Sequence, residues 1–211
     1  MPGWCALVPQ KALAGAKGRL QLEPQQRRAV ATAMLRDTVA ALAATPAVES
    51  IIVLWDDPED RSVLPTVAAL CTRGRGLNES LELGAEAARS QFPGLGVLVV
   101  PGDLPALDPV ELALCLQRAA RIPRAYLPDA AATGTTILTA TRGLPLLPAY
   151  GGPSAAAHAA TGAHSLEVNG LDSLRADVDD LESLARALAL GCGRRTRASC
   201  FSQGLVPQVV R

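Results

Sequence analysis

The chain has 211 residues, with 20 lysines and arginines against 20 aspartates and glutamates. Balanced charge lacks the basic surplus by which proteins bind a polyanion, and aromatics at 3% leave few rings for stacking bases, so no nucleic-acid partner is expected. The length fits one compact domain with a single large core, expected over residues 1–190 with 191–211 as a tail.

Short apolar runs alternate with longer segments of helical period. The first predicted strand is WCALVP, Trp4–Pro9, and a helix follows over Pro24–Thr45, with Val30, Met34, Leu35, Thr38, Val39 and Leu42 on one stripe. The β-branched run Ser50–Asp56 predicts the next strand. Helices are expected over Ser62–Leu70 and Asn78–Gln91. The run GVLVVPG predicts a strand, Asp108–Ala120 a helix, and Arg124–Asp129 and Gly134–Ala140 two further strands. Helices over Pro153–Thr161 and Asp180–Ala189 complete the order, and the ending GCGRRTRASCFSQGLVPQVVR shows no clear period. Such alternation implies an α/β fold, a mostly parallel sheet covered by helices on both faces.

The cysteines are Cys5, Cys71, Cys115, Cys192 and Cys200, an odd number without a CxxC. Neither a disulfide framework nor a structural zinc site is expected, and a reducing, cytoplasmic setting is. The start MPGWCALVPQKALAG has no charged region ahead of an apolar core, so no secretory leader is expected. No apolar run approaches the ~18 residues of a membrane span, so no membrane partner is expected.

In sheets of this kind ligands bind outside the carboxyl ends of the strands, where strand order reverses. Two loops fall there, PQKALAGAKGRL after the first strand and PGDLPAL after the run Gly96–Val100. Asp103 stands between Gly102 and Leu104, too far from the next helix to cap it, and can ligate Mg²⁺ through oxygen or simply form a turn. Asp108 has a structural reading, since DPVE fits a capping box with Glu111. In LRADVDDLESL, Asp177 and Asp179 point the same way in extended chain. Asp179 fits a D-x-x-E cap with Glu182, which leaves Asp177 free to be a second metal ligand.

Lys11, Lys17 and Arg19 lie in the small-residue loop after the first strand, a setting suited to a polyphosphate or merely to solvent. The loop is neither GxxxxGK[ST] nor GxGxxG. Thr133, Gly134, Thr135 and Thr136 form a second cluster, and Gly151, Gly152 and Ser154 precede a helix whose first N–H groups would be free donors for an anion. His158, four residues after Ser154, reads as a packed histidine. No GxSxG elbow or activated cysteine occurs, so triad chemistry is not expected. A site of Lys, Asp, Gly and Thr suits a substrate that brings its own nucleophile. A phosphate monoester does so, because its second pKa is about 6.

Six motifs, LVPQKALAGAKGRL, GLNESL, PGDLPAL, TGTTIL, YGGPSAAAHAATGA and LRADVDDLESL, follow in order from Leu7 to Leu184. Together they resemble the guanylyltransferases that load phosphoenolpyruvate or 2-phospho-L-lactate onto GMP in making coenzyme F-420. The resemblance implies a nucleotide-diphospho-sugar transferase-like fold, a Rossmann-like three-layer sandwich. It implies transfer of GMP from GTP with release of pyrophosphate, Mg²⁺ as cofactor, and a downstream transferase that takes the guanosine diphospho-linked product. It also implies Asp103 as a metal ligand with Asp177 as helper, and Lys17 beside Asp103 in catalysis. Lys11 and Lys17 would face the GTP phosphates, Asn78 the nucleoside, and Thr136, Gly151 and Ser154 the phosphorylated acid. A bacterial composition favours phosphoenolpyruvate as acceptor. The alternatives are 2-phospho-L-lactate, another phosphorylated acceptor such as a sugar phosphate or molybdopterin, or a non-catalytic nucleotide-binding module.

Overall fold

The structure, a computed structural model, describes residues 2–166 and 168–205. Strands β1 (Trp4–Gln10), β2 (Val48–Trp55), β3 (Ala68–Cys71), β4 (Gly96–Val99), β5 (Arg124–Pro128), β6 (Thr135–Ala140) and β7 (His164–Ser165) form one seven-stranded sheet of order β3-β2-β1-β4-β6-β5-β7. The pairs β1–β2, β1–β4, β2–β3 and β5–β7 are parallel. Strand β6 runs antiparallel to both β4 and β5. The link between β5 and β6 is far shorter than the dozen or so residues a parallel crossover needs, so these strands form a hairpin. Asp129 closes it by accepting the N–H groups of Thr133 and Gly134.

The helices are α1 (Pro24–Ala44), α2 (Leu77–Gln91), α3 (Pro109–Ala119), α4 (Ser154–Ala160), α5 (Leu181–Leu190) and α6 (Arg194–Ser202). Alternation along β1 divides the core. Trp4, Ala6 and Val8 face a layer with Leu35, Val39 and Leu42 of α1 and Leu112 and Leu116 of α3. Cys5 and Leu7 face the opposite layer with Leu81, Ala85 and Ala88 of α2 and Ala155 of α4. The result is the expected three-layer sandwich. A third apolar cluster, with Leu20, Met34, Val178, Leu184 and Cys200, fastens the loop after β1 to α1, α5 and α6.

Two stretches depart from the expected elements. Ser62–Leu70 is not a helix: a 3₁₀ turn covers Pro58–Val63, and β3 then pairs with Ile52–Trp55 of β2. Pro65 accounts for this, because its ring and missing N–H break a helix in its interior. In the segment without a clear period, α6 forms. Asp37, buried in α1, accepts the Thr196 N–H at 2.7 Å and so satisfies a donor of the first turn of α6. Gly193 lies so close against Asp37 that a Cβ there would collide with the carboxylate. Residues 206–211 of the expected tail lie outside the described residues.

Strand order reverses between β1 and β4, since the chain passes β1, β2, β3 in one direction and resumes at β4 on the other side of β1. This switch point brings the loops after β1 and β4 together.

Candidate active site

The loop after β1 contains two 3₁₀ turns, Leu13–Gly15 and Gly18–Leu20. Its anchor is Leu13, whose side chain is buried and whose N–H donates to Asp60 Oδ2 at 2.8 Å. Arg28 of α1 pairs with the other oxygen of the same carboxylate at 2.6 Å. Between the turns Lys17 adopts a left-handed backbone, φ 59° and ψ 39°. A non-glycine residue held there costs on the order of 1–3 kcal/mol and persists only where surrounding contacts impose it. Those contacts are ionic: Lys17 Nζ donates to Asp103 Oδ2 and, at 3.4 Å, to Asp179 Oδ1. Burial works against the ammonium, but Asp103 and then Asp179 more than offset it, so the Lys17 amine is held charged and above its ordinary pKa.

Asp103 is presented by a tight turn. A Cβ on Gly102 would meet Gln10 Oε1 at 2.7 Å and Leu35 Cδ1 at 2.9 Å, so glycine lets the chain leave β4 close to β1 and α1 without displacing the ends of those two side chains. The Asp103 carbonyl accepts the Val178 N–H at 3.1 Å, which draws the ADVDD segment alongside. Asp177 is thereby pushed up to about 6, by burial first and then by the charges of Asp103 and Asp179. The distant carboxylates of the two motifs do converge. Asp179 does not cap α5; that role belongs to Asp180, whose side chain and Ser183 satisfy each other's backbone N–H groups. Asp108 caps α3 as expected by accepting the Val110 N–H, but Glu111 does not complete the box and instead accepts from Ser173.

A cleft of about 940 Å³ runs over the carboxyl ends of β3, β2, β1 and β4, with Lys11, Lys17, Asp56, Thr72, Arg75, Ser80 and Asp103 among its lining. A smaller one of about 240 Å³ continues under β4 and β6 and includes Thr135, Thr136, Tyr150 and Asp177. Asp103 and Asp179 border both.

Thr136 is buried, with its hydroxyl donating to the Leu127 carbonyl at 3.3 Å. Gly151 and Ser154 lie beyond Tyr150 and are not among the residues lining either cleft. The first N–H groups of α4 are not free, contrary to expectation. Gly151 and Gly152 have φ of 116° and 53°, and the chain folds back so that Ser154 N–H meets the Gly152 carbonyl and Ala155 N–H the Thr133 carbonyl. Asn78 does not line the larger cleft either. Its amide is used at both ends on Tyr150, donating to the carbonyl at 2.9 Å and accepting the N–H at 2.8 Å. His158 is packed, as its position implied: Nε2 accepts the Ala149 N–H and Nδ1 meets the Thr135 hydroxyl, both at 2.9 Å. Burial lowers its pKa, so the ring is neutral.

Sequence reasoning missed Asp60, Arg28 and Asp56. Asp56 could have been found, since it directly follows a strand at the ligand-binding edge. The long-range bond from Asp60 to Leu13 left no local sign.

No protein-family model matches the chain. Curated relatives do. The chain is 45% identical over 200 residues to the phosphoenolpyruvate guanylyltransferase of Streptomyces coelicolor, covering 92% of this chain and 94% of that protein. It is 43% identical over 199 residues to the enzyme of the same name from Thermomonospora curvata, covering 92% and 87%. The chain belongs to the phosphoenolpyruvate guanylyltransferase family. The fold of this family member is shared with more distant proteins. CMP:2-keto-3-deoxy-manno-octonic acid synthetase complexed with CTP superposes with a TM-score of 0.57 at 15% identity, covering 89% of this chain and 98% of that one. Rv0371c of Mycobacterium tuberculosis, solved in complex with manganese, gives 0.57 at 19% identity, covering 89% and 98%.

Proposed function

We propose that the chain transfers GMP from GTP to phosphoenolpyruvate and releases pyrophosphate. The observation that carries this reading is the junction of the two clefts. Lys17, held charged, meets Asp103 and Asp179 where a large groove with basic residues adjoins a small one that includes Thr135, Thr136 and Asp177. A triphosphate in the first and a phosphorylated acid in the second would have their reacting groups side by side.

The acceptor needs no protein base, because its phosphate oxygen is already anionic at neutral pH. That oxygen forms a bond to the α-phosphorus as the bond to the bridging oxygen of pyrophosphate breaks. What the protein must supply is alignment and positive charge against repulsion between two polyanions. Lys11 and Lys17 supply charge toward the nucleotide phosphates. Thr136 lines the smaller cleft on the acid side, with Gly151 and Ser154 in the turn just beyond its Tyr150, and Asn78 contributes by fixing Tyr150 at the rim.

The residues also fit a divalent cation. Asp103 Oδ1 is buried with no hydrogen-bond partner among the described residues, and Asp177 beside it is an uncompensated carboxyl. Among the described residues no group of three or more His, Cys, Asp or Glu gathers to hold a metal alone. Mg²⁺ asks for less, one or two carboxylates with water and phosphate completing its shell. Bound there through Asp103 and Asp177, it would neutralise charge between the reacting anions.

The guanosine diphospho-linked product would pass to a second transferase in coenzyme F-420 biosynthesis. The free state of all five cysteines supports a reducing, cytoplasmic setting. Among the described residues no helix is long and apolar enough to cross a membrane. The test is pyrophosphate release by purified protein, which should require GTP, Mg²⁺ and phosphoenolpyruvate together and fall by about 10³-fold in Asp103→Asn. Faster turnover with 2-phospho-L-lactate would overturn the acceptor, undiminished release in the variant the metal assignment, and GTP binding without turnover the enzyme itself.

A further inference from the structure

We infer that Asp56 selects guanine over other bases at the far end of the larger cleft. This rests on the GTP-dependent reading above and names the residue that reads the base. Asp56 follows β2 directly and lines the cleft together with Thr72, Arg75 and Ser80. Its Oδ1 accepts the Gly74 N–H at 3.3 Å, which orients the carboxylate. Neighbouring cations do not neutralise it: Arg73 pairs with Asp57 and Arg75 with Glu79, and Asp56 forms no ion pair among the described residues.

An unpaired carboxylate is misplaced in a groove built for a polyphosphate unless something other than phosphate lies against it. Of the positive groups of the groove, Lys11, Lys17 and Arg19 are on the loop after β1, and Arg75, on the side of Asp56, is engaged by Glu79. Repulsion from Asp56 and attraction to that loop therefore fix the direction of the nucleotide, phosphates toward Asp103 and base toward Asp56. The ends of β2 and β4 are two strand spacings apart, about 10 Å, which leaves room for a ribose and the α-phosphate between them.

At that end a carboxylate discriminates among bases by elementary hydrogen-bond chemistry. Guanine presents two adjacent donors, N1–H and the 2-amino group, to which a carboxylate can accept with charge assistance. Adenine presents a lone pair at N1 and cytosine one at N3, and both repel it. Uracil offers one N–H flanked by two carbonyl oxygens. Guanine alone of the four is complementary.

The experiment uses the Asp56→Asn variant, which keeps an oxygen for the Gly74 N–H but exchanges the other acceptor for a donor. Xanthosine triphosphate carries a carbonyl where guanosine triphosphate carries the 2-amino group, so it matches the amide as guanine matches the carboxylate. Initial rates with GTP, XTP and ATP, phosphoenolpyruvate being saturating, should shift the GTP:XTP preference by about 10²-fold toward XTP and lower the GTP:ATP preference by about 10-fold or more. Unchanged ratios in a variant that turns over would overturn the inference. If wild-type protein turns over no nucleotide, the transferase reading fails, and the base assignment is decided separately by calorimetry with GDP and XDP. The same titration serves if the variant alone is inactive. A shift from GDP toward XDP in Asp56→Asn supports the assignment, and identical affinities for wild type and variant overturn it.

Discussion

The loop after β1 and the loop that leads into α4 stand on the two sides of the proposed reaction centre and are held in opposite ways. The first carries Lys11, Lys17 and Arg19, and its restraints are charged: Asp60 on Leu13, and Asp103 and Asp179 on Lys17. The second is fixed by neutral hydrogen bonds, from Asn78 to both backbone groups of Tyr150 and from Ala149 to His158. Tyr150 also packs edge-on against the His158 ring, with centroids 4.8 Å apart. Ionic restraints can be exchanged for phosphates and a cation when these arrive, whereas the neutral network has nothing to exchange. On the proposed assignment the nucleotide side would therefore be shaped by its ligands and the acid side formed before them.

Removing the ammonium at the junction should do the most damage. In Lys17→Ala the carboxylates of Asp103, Asp177 and Asp179 face one another without a counter-charge, and kcat should fall by 10²–10³-fold, on the order of the loss of one transition-state donor. The same repulsion should lower the melting temperature in chelator. Millimolar Mg²⁺ should restore more of it than in wild type; saturation to about 100 times Kd is worth about 2.7 kcal/mol. Equal Mg²⁺ responses in the two proteins would separate Lys17 from the cation site.

Next in size is Asn78→Ala, which strips the Tyr150 N–H and carbonyl of their partners and should cost about 1–3 kcal/mol in denaturant unfolding. Its kinetic signature is one-sided: KM for the acid should rise about 10-fold or more while KM for GTP moves little, the ratio rather than either value being decisive. A larger change in KM for GTP would place Asn78 on the nucleoside side after all. Asp60→Asn is the mirror image. It keeps an acceptor for the Leu13 N–H but loses the pairing with Arg28, whose side chain is 44% exposed, so the effect should be small. KM for GTP should rise about 3-fold, within the range of one weakened hydrogen bond, and KM for the acid should stay put.

How much of this was legible in the chain depended on how local the cause was. Asp103 was legible because it sits just past a strand whose apolar run is unmistakable, where the strand-end rule points, whereas Lys17 was set beside it only by the motif resemblance. Asp177 was legible for a similar reason, through its spacing within ADVDD. The cap of α5 was misassigned by one residue, because Asp179 and Asp180 both fit a cap pattern and only the Ser183 hydroxyl decides between them. Strand β3 was hidden by its four-residue length behind Pro65. Helix α6 was invisible for a deeper reason: its first turn is completed by Asp37, 159 residues from Thr196. The amide of Asn78 reaches Tyr150 across 72 residues, and no periodicity carries such information.

The finest test of the neutral side is pH. His158 is fully buried, and burial sets its folded pKa below the ordinary 6.5. The unfolded chain therefore takes up a proton at a pH where the native ring does not. Its contribution to stability is complete above about pH 6.5 and is lost as pH falls toward the folded pKa, with a slope of at most about 1.4 kcal/mol per pH unit for one proton. Denaturant unfolding of wild type and His158→Gln, compared between pH 7.5 and 5, should give curves that run parallel above pH 7 and converge below 6.5. The difference between the two proteins isolates this one ring from carboxyls such as Asp177, whose raised pKa acts in the opposite sense. Curves that stay parallel to pH 5 would mean that the native ring takes up its proton as readily as the unfolded one and is charged at the acid end of the range. The Ala149 N–H would then have no acceptor at Nε2, and the acid side would owe its shape to charge after all.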